Sequence, residues 1–219
     1  MAIPKHLTEA AARHRTAGRR AGIVVRHAER FHVDDLRTHE SVLLTERGHA
    51  QARDGGALLH ALGEPLTIFH SPVERCAETA RGLVAGVVEA GGHATLAGPL
   101  LALYSTFILD KHKAWETVQQ LGHSFIRDWF DDKLPPDVFE PRARAAQGQL
   151  DALAHALIEQ PACVFVSHDW NIALVREDVL AFSPEHGWPG FLDGYVVALD
   201  GDDIVVEYDG RVGRRRRHA

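Results

Sequence analysis

The sequence is poor in cysteine, has no long hydrophobic run and contains no internal repeat. Only Cys76 and Cys163 occur in 219 residues, too few for a disulfide framework, so a reducing, cytoplasmic setting is expected. No apolar stretch approaches the roughly 20 residues that a membrane-spanning helix needs, so no membrane partner is expected. Residues 1–22 are broken by charges before any apolar core forms, which argues against a secretory signal. The 15 histidines are scattered. No His-x-x-x-His pair stands beside a Cys or Glu at zinc spacing, so neither a metal nor another cofactor is expected.

Basic charge is also scarce over most of the chain. The formal net charge is −6, but residues 211–219 hold five Arg and no acid, leaving 19 basic against 30 acidic residues, a net −11. An acidic body argues against nucleic acid as a partner. The run Arg214-Arg215-Arg216-Arg217 reads as a solvated, disordered basic tail.

What is present is an alternation of strands and helices. Residues 1–20 read as a polar, basic helix or arm. Gly22-Ile23-Val24-Val25-Arg26 is a β-branched run suited to a buried parallel strand. A helix opens at Thr45, a capping residue, and Gly63 closes it as a C-cap glycine would. Leu66–Phe69 forms a second strand, and Pro72 suits the first turn of a helix running to about Glu89. Residues 93–101 are a third apolar segment. Residues 103–141 hold most of the aromatics among charges and prolines, and read as a helical insertion or lid. A periodic helix is expected from about Asp137 to Glu159, then the clearest buried strand, Ala162–Val166. Tyr195–Leu199 and Ile204–Tyr208 alternate around Asp200-Gly201-Asp202 as a hairpin. The expected architecture is a single α/β domain over residues 1–219. It would be a three-layer sandwich, with a mostly parallel central sheet, helices on both faces and an antiparallel edge.

Three expected strands end in chemically capable clusters: Arg26-His27-Ala28-Glu29-Arg30, Ser71-Pro72-Val73-Glu74-Arg75 and His168-Asp169. Ligands of open α/β sheets bind outside the carboxyl ends of the strands, so these clusters can converge. Converging arginines with two histidines describe an anion pocket that contains a nucleophile. Phosphoryl transfer suits such a pocket, because its catalysis is mostly positioning and charge stabilisation. Guanidinium forks grip phosphate oxygens, a neutral imidazole can attack phosphorus, and a carboxylic acid can protonate the leaving oxygen.

The segment Val25-Arg26-His27-Ala28-Glu29-Arg30 resembles the signature of the histidine phosphatase superfamily. Leu44-Thr45-Glu46-Arg47-Gly48-His49-Ala50-Gln51-Ala52 is similar to its Leu-Thr-x-x-Gly-x-x-Gln-Ala segment. Ser71-Pro72-Val73-Glu74-Arg75-Cys76-Ala77-Glu78-Thr79-Ala80 resembles its Ser-Pro-x-x-Arg-x-x-x-Thr-Ala segment, and Val166-Ser167-His168-Asp169 the strand end bearing its second histidine. Four motifs in the family's order span about residues 22–180.

The resemblance implies that His27 is phosphorylated, that Arg26 and Arg75 bind phosphoryl oxygens, and that His168 completes the pocket. Arg30 matches an additional arginine of the acid-phosphatase-like branch, and Asp169 matches that branch's proton donor. The mutase-like branch takes its acid from a glutamate, for which Asp110 and Glu116 are the weak substitutes. Ala28 stands where glycine is usual, and Phe31-His32 replaces the branch's proline spacing.

Each residue also has a plainer reading. Arg26 and Arg75 could be surface arginines, and Asp169 or Thr45 simple helix caps. Independent structural roles do not, however, predict four motifs in order. Trp115, Phe125, Trp129 and Phe130 fit core packing better than a substrate wall. Trp170 and Tyr104 are the substrate-lining candidates, with Trp188 behind them, and His39, His49 and His70 are read as structural or surface residues.

The implied activity is metal-independent hydrolysis of a small-molecule phosphate monoester through a phosphohistidine. The alternatives are a phosphoglycerate mutase-like phosphotransferase and a non-catalytic phospho-ligand binding protein; a metal-dependent hydrolase is the poorest fit. Substrate identity and oligomeric state, monomer or homodimer, stay open.

Overall fold

The computed structural model describes every residue except Met1, residues 33–35, residues 63–64 and Ala219. Gly63, the expected C-cap, therefore lies outside the described residues. Seven strands form one sheet in the order β3-β2-β4-β1-β5-β6-β7. They are β1 (Ala21–Arg26), β2 (Leu66–His70), β3 (Ala94–Pro99), β4 (Ala162–Ser167), β5 (Gly194–Asp200), β6 (Asp203–Tyr208) and β7 (Arg211–Arg216). β3, β2, β4 and β1 run parallel to their neighbours, while β5, β6 and β7 add antiparallel pairings at one side.

Alternation along the central strands sorts two cores. Ile23 and Val25 of β1, with Val164 and Val166 of β4, face helices α1 (Lys5–Thr16), α2 (Glu46–Leu59) and α3 (Glu74–Glu89). Val24 and Phe165 face α6 (Arg142–Glu159) and α7 (Asp169–Leu180). Successive side chains on a strand point to opposite faces, so a strand buried on both sides is apolar throughout, as β4 is. Phe165 is fully buried, and truncating such a residue to alanine costs about 3–5 kcal/mol.

The expected insertion is helical. It holds α4 (Lys111–Leu121) and α5 (Phe125–Phe130). A third core there joins Phe107, Phe125, Trp129, Phe130 and Phe139 to Ala173 and Leu174 of α7. The following helix begins at Arg142, later than its periodicity suggests, because residues 138–140 tie the insertion down. The amide of Leu109 donates to Val138 O at 2.9 Å, and that of Glu140 to Phe107 O at 2.8 Å.

The basic tail is a correction. Arg211–Arg216 is an edge strand paired along its length with β6. Its arginines find carboxylates supplied by the acidic body: Arg214 meets Asp200 at 3.0 Å, and Arg215 meets Asp178 at 2.9 Å. The hairpin before it turns between Asp200 and Asp203, as expected.

Candidate active site

The carboxyl ends of β1, β4 and β2 lie side by side because their registers pair Arg26 with Ser167 and His70 with Val166. The His27 amide donates to Ser167 O at 2.9 Å, and the Ser71 amide to Val166 O at 2.9 Å. Arg26, His27, Arg30, Arg75, His168, Asp169, Tyr104 and Trp170, all expected from the sequence, line one cavity of about 290 Å³.

The loop after β1 is held by the two flanking motifs. Ala28 is fully buried and its amide donates to Thr79 Oγ1 at 3.0 Å; Thr79 in turn donates to Arg75 O at 2.8 Å. The Glu29 amide donates to Gln51 Oε1 at 3.0 Å. Thr45 caps α2, accepting from Gly48 N at 2.9 Å, and its hydroxyl also donates to Glu29 Oε1 at 3.0 Å. A Cβ at Gly48 would stand 1.9 Å from Glu29 O, so only glycine lets α2 approach this loop.

His27 is buried, and its Nδ1 lies 2.8 Å from Ala28 O. That carbonyl takes the ring proton, which leaves the Nε2 lone pair facing the cavity. Arg75 Nε donates to Nε2 at 3.1 Å. Burial, then the neighbouring His168 and Arg75, hold His27 well below the ordinary histidine range, so it is neutral.

His168 caps the start of α7, its ring centroid 5.6 Å from that of His27. Arg75 Nη2 donates to its Nδ1 at 3.2 Å, so its Nε2 carries the proton toward Ser71 Oγ at 2.8 Å. Burial and Arg75 hold it, too, well below the usual range. Cys76 Sγ lies 3.6 Å from the same Nε2. Burial pushes the Cys76 thiol up to about 12, which removes it as a competing nucleophile near neutral pH.

Arg26 and Asp169 form an ion pair at 2.8 Å. Arg26 also donates to Pro189 O at 2.9 Å and lies 4.5 Å from the centre of the Phe191 ring. Asp169 is the first residue of α7, not its cap. Its Oδ1 accepts from Trp170 N at 3.0 Å and its Oδ2 from Trp188 Nε1 at 3.2 Å. Arg30 reaches the cavity with one nitrogen on Phe31 O at 2.8 Å.

Asp110 and Glu116 take no part in the cavity lining. Asp110 caps α4 through the amides of His112 and Lys113, each at 3.1 Å, and Glu116 sits beside His112 on the helix surface. The second lining carboxylate is Glu40, which accepts from the Tyr104 hydroxyl. Burial and that contact push the Tyr104 phenol upward.

Three expectations are revised. Trp115 lines the cavity, whereas Phe125, Trp129 and Phe130 belong to the core. His39, read as structural or surface, lines the cavity, and its carbonyl accepts from Arg75 Nη1 at 2.5 Å. Trp188 is absent from the cavity lining and acts behind it, on Asp169. Glu40, Ile108, Lys111 and Val118 also line the cavity; α4 spacing could have flagged the last two, since 111, 114, 115 and 118 share a helix face.

Among curated proteins, none matches the chain in sequence. Solved structures do match. Bacillus stearothermophilus YhfR is 18% identical with a TM-score of 0.57, covering 87% of this chain and 96% of its own. A mycobacterial glucosyl-3-phosphoglycerate phosphatase is 18% identical with a TM-score of 0.52, covering 92% of this chain and 99% of its own. At such identities the likeness is one of fold. The branch reading drawn from Arg30 and Asp169 gains nothing from these comparisons, and both residues rest on geometry. Residues 23–195 match the sequence profile of the histidine phosphatase superfamily, branch 1, and the chain belongs to that superfamily.

Proposed function

We propose that the protein is a metal-independent phosphatase that hydrolyses a small phosphate monoester through a phosphohistidine on His27. The observation that carries this is the His27 tautomer: Nδ1 tied to Ala28 O, so that Nε2, which accepts from Arg75 Nε until a phosphate draws that guanidinium away, is the unprotonated nitrogen, in a cavity that also holds Arg26, Arg30 and Arg75. The phosphatase named among the similar folds fits the same reading.

In the proposed reaction the Nε2 lone pair forms a bond to phosphorus while the ester P–O bond breaks and its electron pair leaves with the oxygen. Arg30 and Arg75 balance the phosphoryl charge, and His168 orients Arg75 through its Nδ1. An arriving phosphate competes with Asp169 for Arg26, releasing the carboxyl group from its ion pair as substrate seats. The released carboxylate takes up a proton from water, and Asp169 then gives it to the leaving oxygen. In the second half, Asp169 takes a proton from water, the water oxygen bonds to phosphorus, and the P–N bond breaks to restore His27 and free inorganic phosphate.

The apolar wall of Tyr104, Ile108, Trp115, Val118 and Trp170 suits an ester with an apolar or ring-containing body. The volume, about 290 Å³, fits a small one. A panel of aryl and alkyl phosphates, assayed for phosphate release and for isomer formation, tests the reading. His27→Ala is expected to lose turnover by at least about 10³-fold and Asp169→Ala by about 10²-fold on alkyl esters. Full activity in His27→Ala would end the mechanism. An unaffected Asp169→Ala moves the acid to Glu40, isomer formation without phosphate release makes the enzyme a mutase, and inhibition by chelator revives a metal.

A further inference from the structure

Three buried polar side chains that the proposed mechanism does not use touch one another beside the cavity: Tyr195 of β5, Gln149 of α6 and Asn171 of α7. Tyr195 itself, with Leu150 and Ile172 next to the other two in sequence, belongs to the apolar core on that face of the sheet. Gln149 Nε2 donates to Tyr195 Oη at 2.9 Å, and Asn171 Nδ2 donates to Gln149 Oε1 at 3.1 Å. The same Asn171 Nδ2 donates to Tyr104 O at 3.3 Å. A backbone carbonyl can only accept, so Tyr104 O fixes which way the Asn171 amide faces, and that in turn fixes Gln149.

The far end of this chain of bonds is the turn that carries Tyr104. Leu103, one residue earlier, is fully buried, and its carbonyl accepts from Ser167 Oγ at 2.8 Å. Ser167 stands one residue before His168 and Asn171 three after it. The strand end and first helical turn that present His168 therefore also hold the Tyr104 turn, by two successive carbonyls. Beyond those carbonyls the Tyr104 ring lies edge-on to His168, centroids 5.3 Å apart at 63°, and its hydroxyl donates to Glu40. A polar trio is not needed to fill this core, since apolar groups of like shape would pack about as well. What the trio adds is direction: a satisfied buried network fixes one arrangement of the groups it joins.

We propose that Gln149 and Asn171 are positioning residues for substrate selection. Through Tyr104 O they fix the phenol ring against His168, and the fixed ring is a rigid wall for the body of the ester. Asn171 lines the cavity but Gln149 does not, so a core residue that never meets the substrate sets which bodies fit. This rests on the phosphate-binding reading of the site given above. Without Gln149 the Asn171 amide loses the acceptor that aims it, and the Tyr104 ring samples more than one position.

The test is calorimetric binding of methylphosphonate and phenylphosphonate to the full chain. Gln149→Met, Tyr195→Phe, Tyr104→Ala and the double variant Gln149→Met with Tyr104→Ala are measured beside it. The ratio of the two affinities is the readout, because a general loosening of the phosphate pocket weakens both ligands and cancels. The unsubstituted protein is expected to prefer phenylphosphonate by about tenfold. Gln149→Met, which keeps the volume and removes both polar atoms, lowers that preference by about three- to fivefold. Tyr195→Phe, which removes only the last acceptor, lowers it by about twofold. In the Tyr104→Ala background Gln149→Met changes the preference by less than about 1.5-fold. An unchanged preference in Gln149→Met, or in Tyr195→Phe where Gln149→Met does not fold, overturns the role, whatever the urea midpoint. So does an equal fall with and without the Tyr104 ring, or a parent that does not prefer the phenyl group. Phosphonates are not hydrolysed, so these outcomes are independent of turnover. Phosphate release from phenyl phosphate is assayed alongside: no release with the ratios as expected sinks the phosphatase reading and leaves the positioning role standing.

Discussion

Asp169 is held from two sides: Arg26 at 2.8 Å and the indole of Trp188 at 3.2 Å. A phosphate can draw Arg26 away, but it offers nothing that would replace Trp188. In the proposed reaction Trp188 therefore keeps the carboxyl group aimed while its charge partner changes. It is a positioning residue, 40% exposed and outside the cavity. Trp188→Phe keeps a ring and removes one N–H donor. Alkyl esters, whose leaving oxygen needs a proton, are expected to lose about tenfold in kcat. Esters of acidic phenols, which depart without one, are expected to change by less than about twofold, with KM little altered for both. A uniform loss across both classes would show that the indole acts on general packing and not on proton delivery.

At the scale of elements, the loop after β1 is only as well placed as α2 allows. The helix starts against Glu29 through Thr45, Gly48 and Gln51, and each of the three does a different job. Gly48→Ala drives a methyl group toward Glu29 O. It is expected to cost about 1–3 kcal/mol in urea unfolding and to lower kcat more than any change in substrate affinity, since the loop carries His27. A variant with unchanged urea midpoint and unchanged kcat would show that the helix start yields freely. The four motifs were legible because each is a strand end, a helix start or a turn, features written within about ten residues. The insertion was legible as helical but not as a wall, since nothing local tells Trp115 from Trp129; only the packing of α4 over the cavity, against α5 and α7, separates them. β7 escaped because an edge strand whose side chains are mostly arginine shows no apolar period, and its carboxylate partners Asp178 and Asp200 lie far back in sequence. Lys111 and Glu40 lay outside any motif, and both reach the site from loops or helix ends that the fold brings over it.

For the molecule as a whole, the site is a burden at acid pH. His27 and His168 are both buried and both held below the ordinary histidine value of about 6.5. Above pH 6.5 each is neutral in the folded and the unfolded chain alike, and neither affects stability. Below it the unfolded chain takes up protons that the folded site refuses, so unfolding becomes easier as pH falls toward the lowered folded values. The price is set by the same burial that keeps the His27 ring neutral. In histidine NMR titrations, His27 and His168 are expected to remain unprotonated at pH 6, below the ordinary histidine value. In urea unfolding, His27→Gln and His168→Gln are expected to gain on the unsubstituted protein between pH 8 and pH 5.5, whatever their offset at pH 8, because each removes one refused proton. The double variant should gain more than either single one. If the offsets between the three variants and the parent are the same at both pH values, the two rings titrate normally in the folded protein. The neutral-nucleophile account of His27 would then have to rest on proton removal by a lining carboxylate, Asp169 or Glu40.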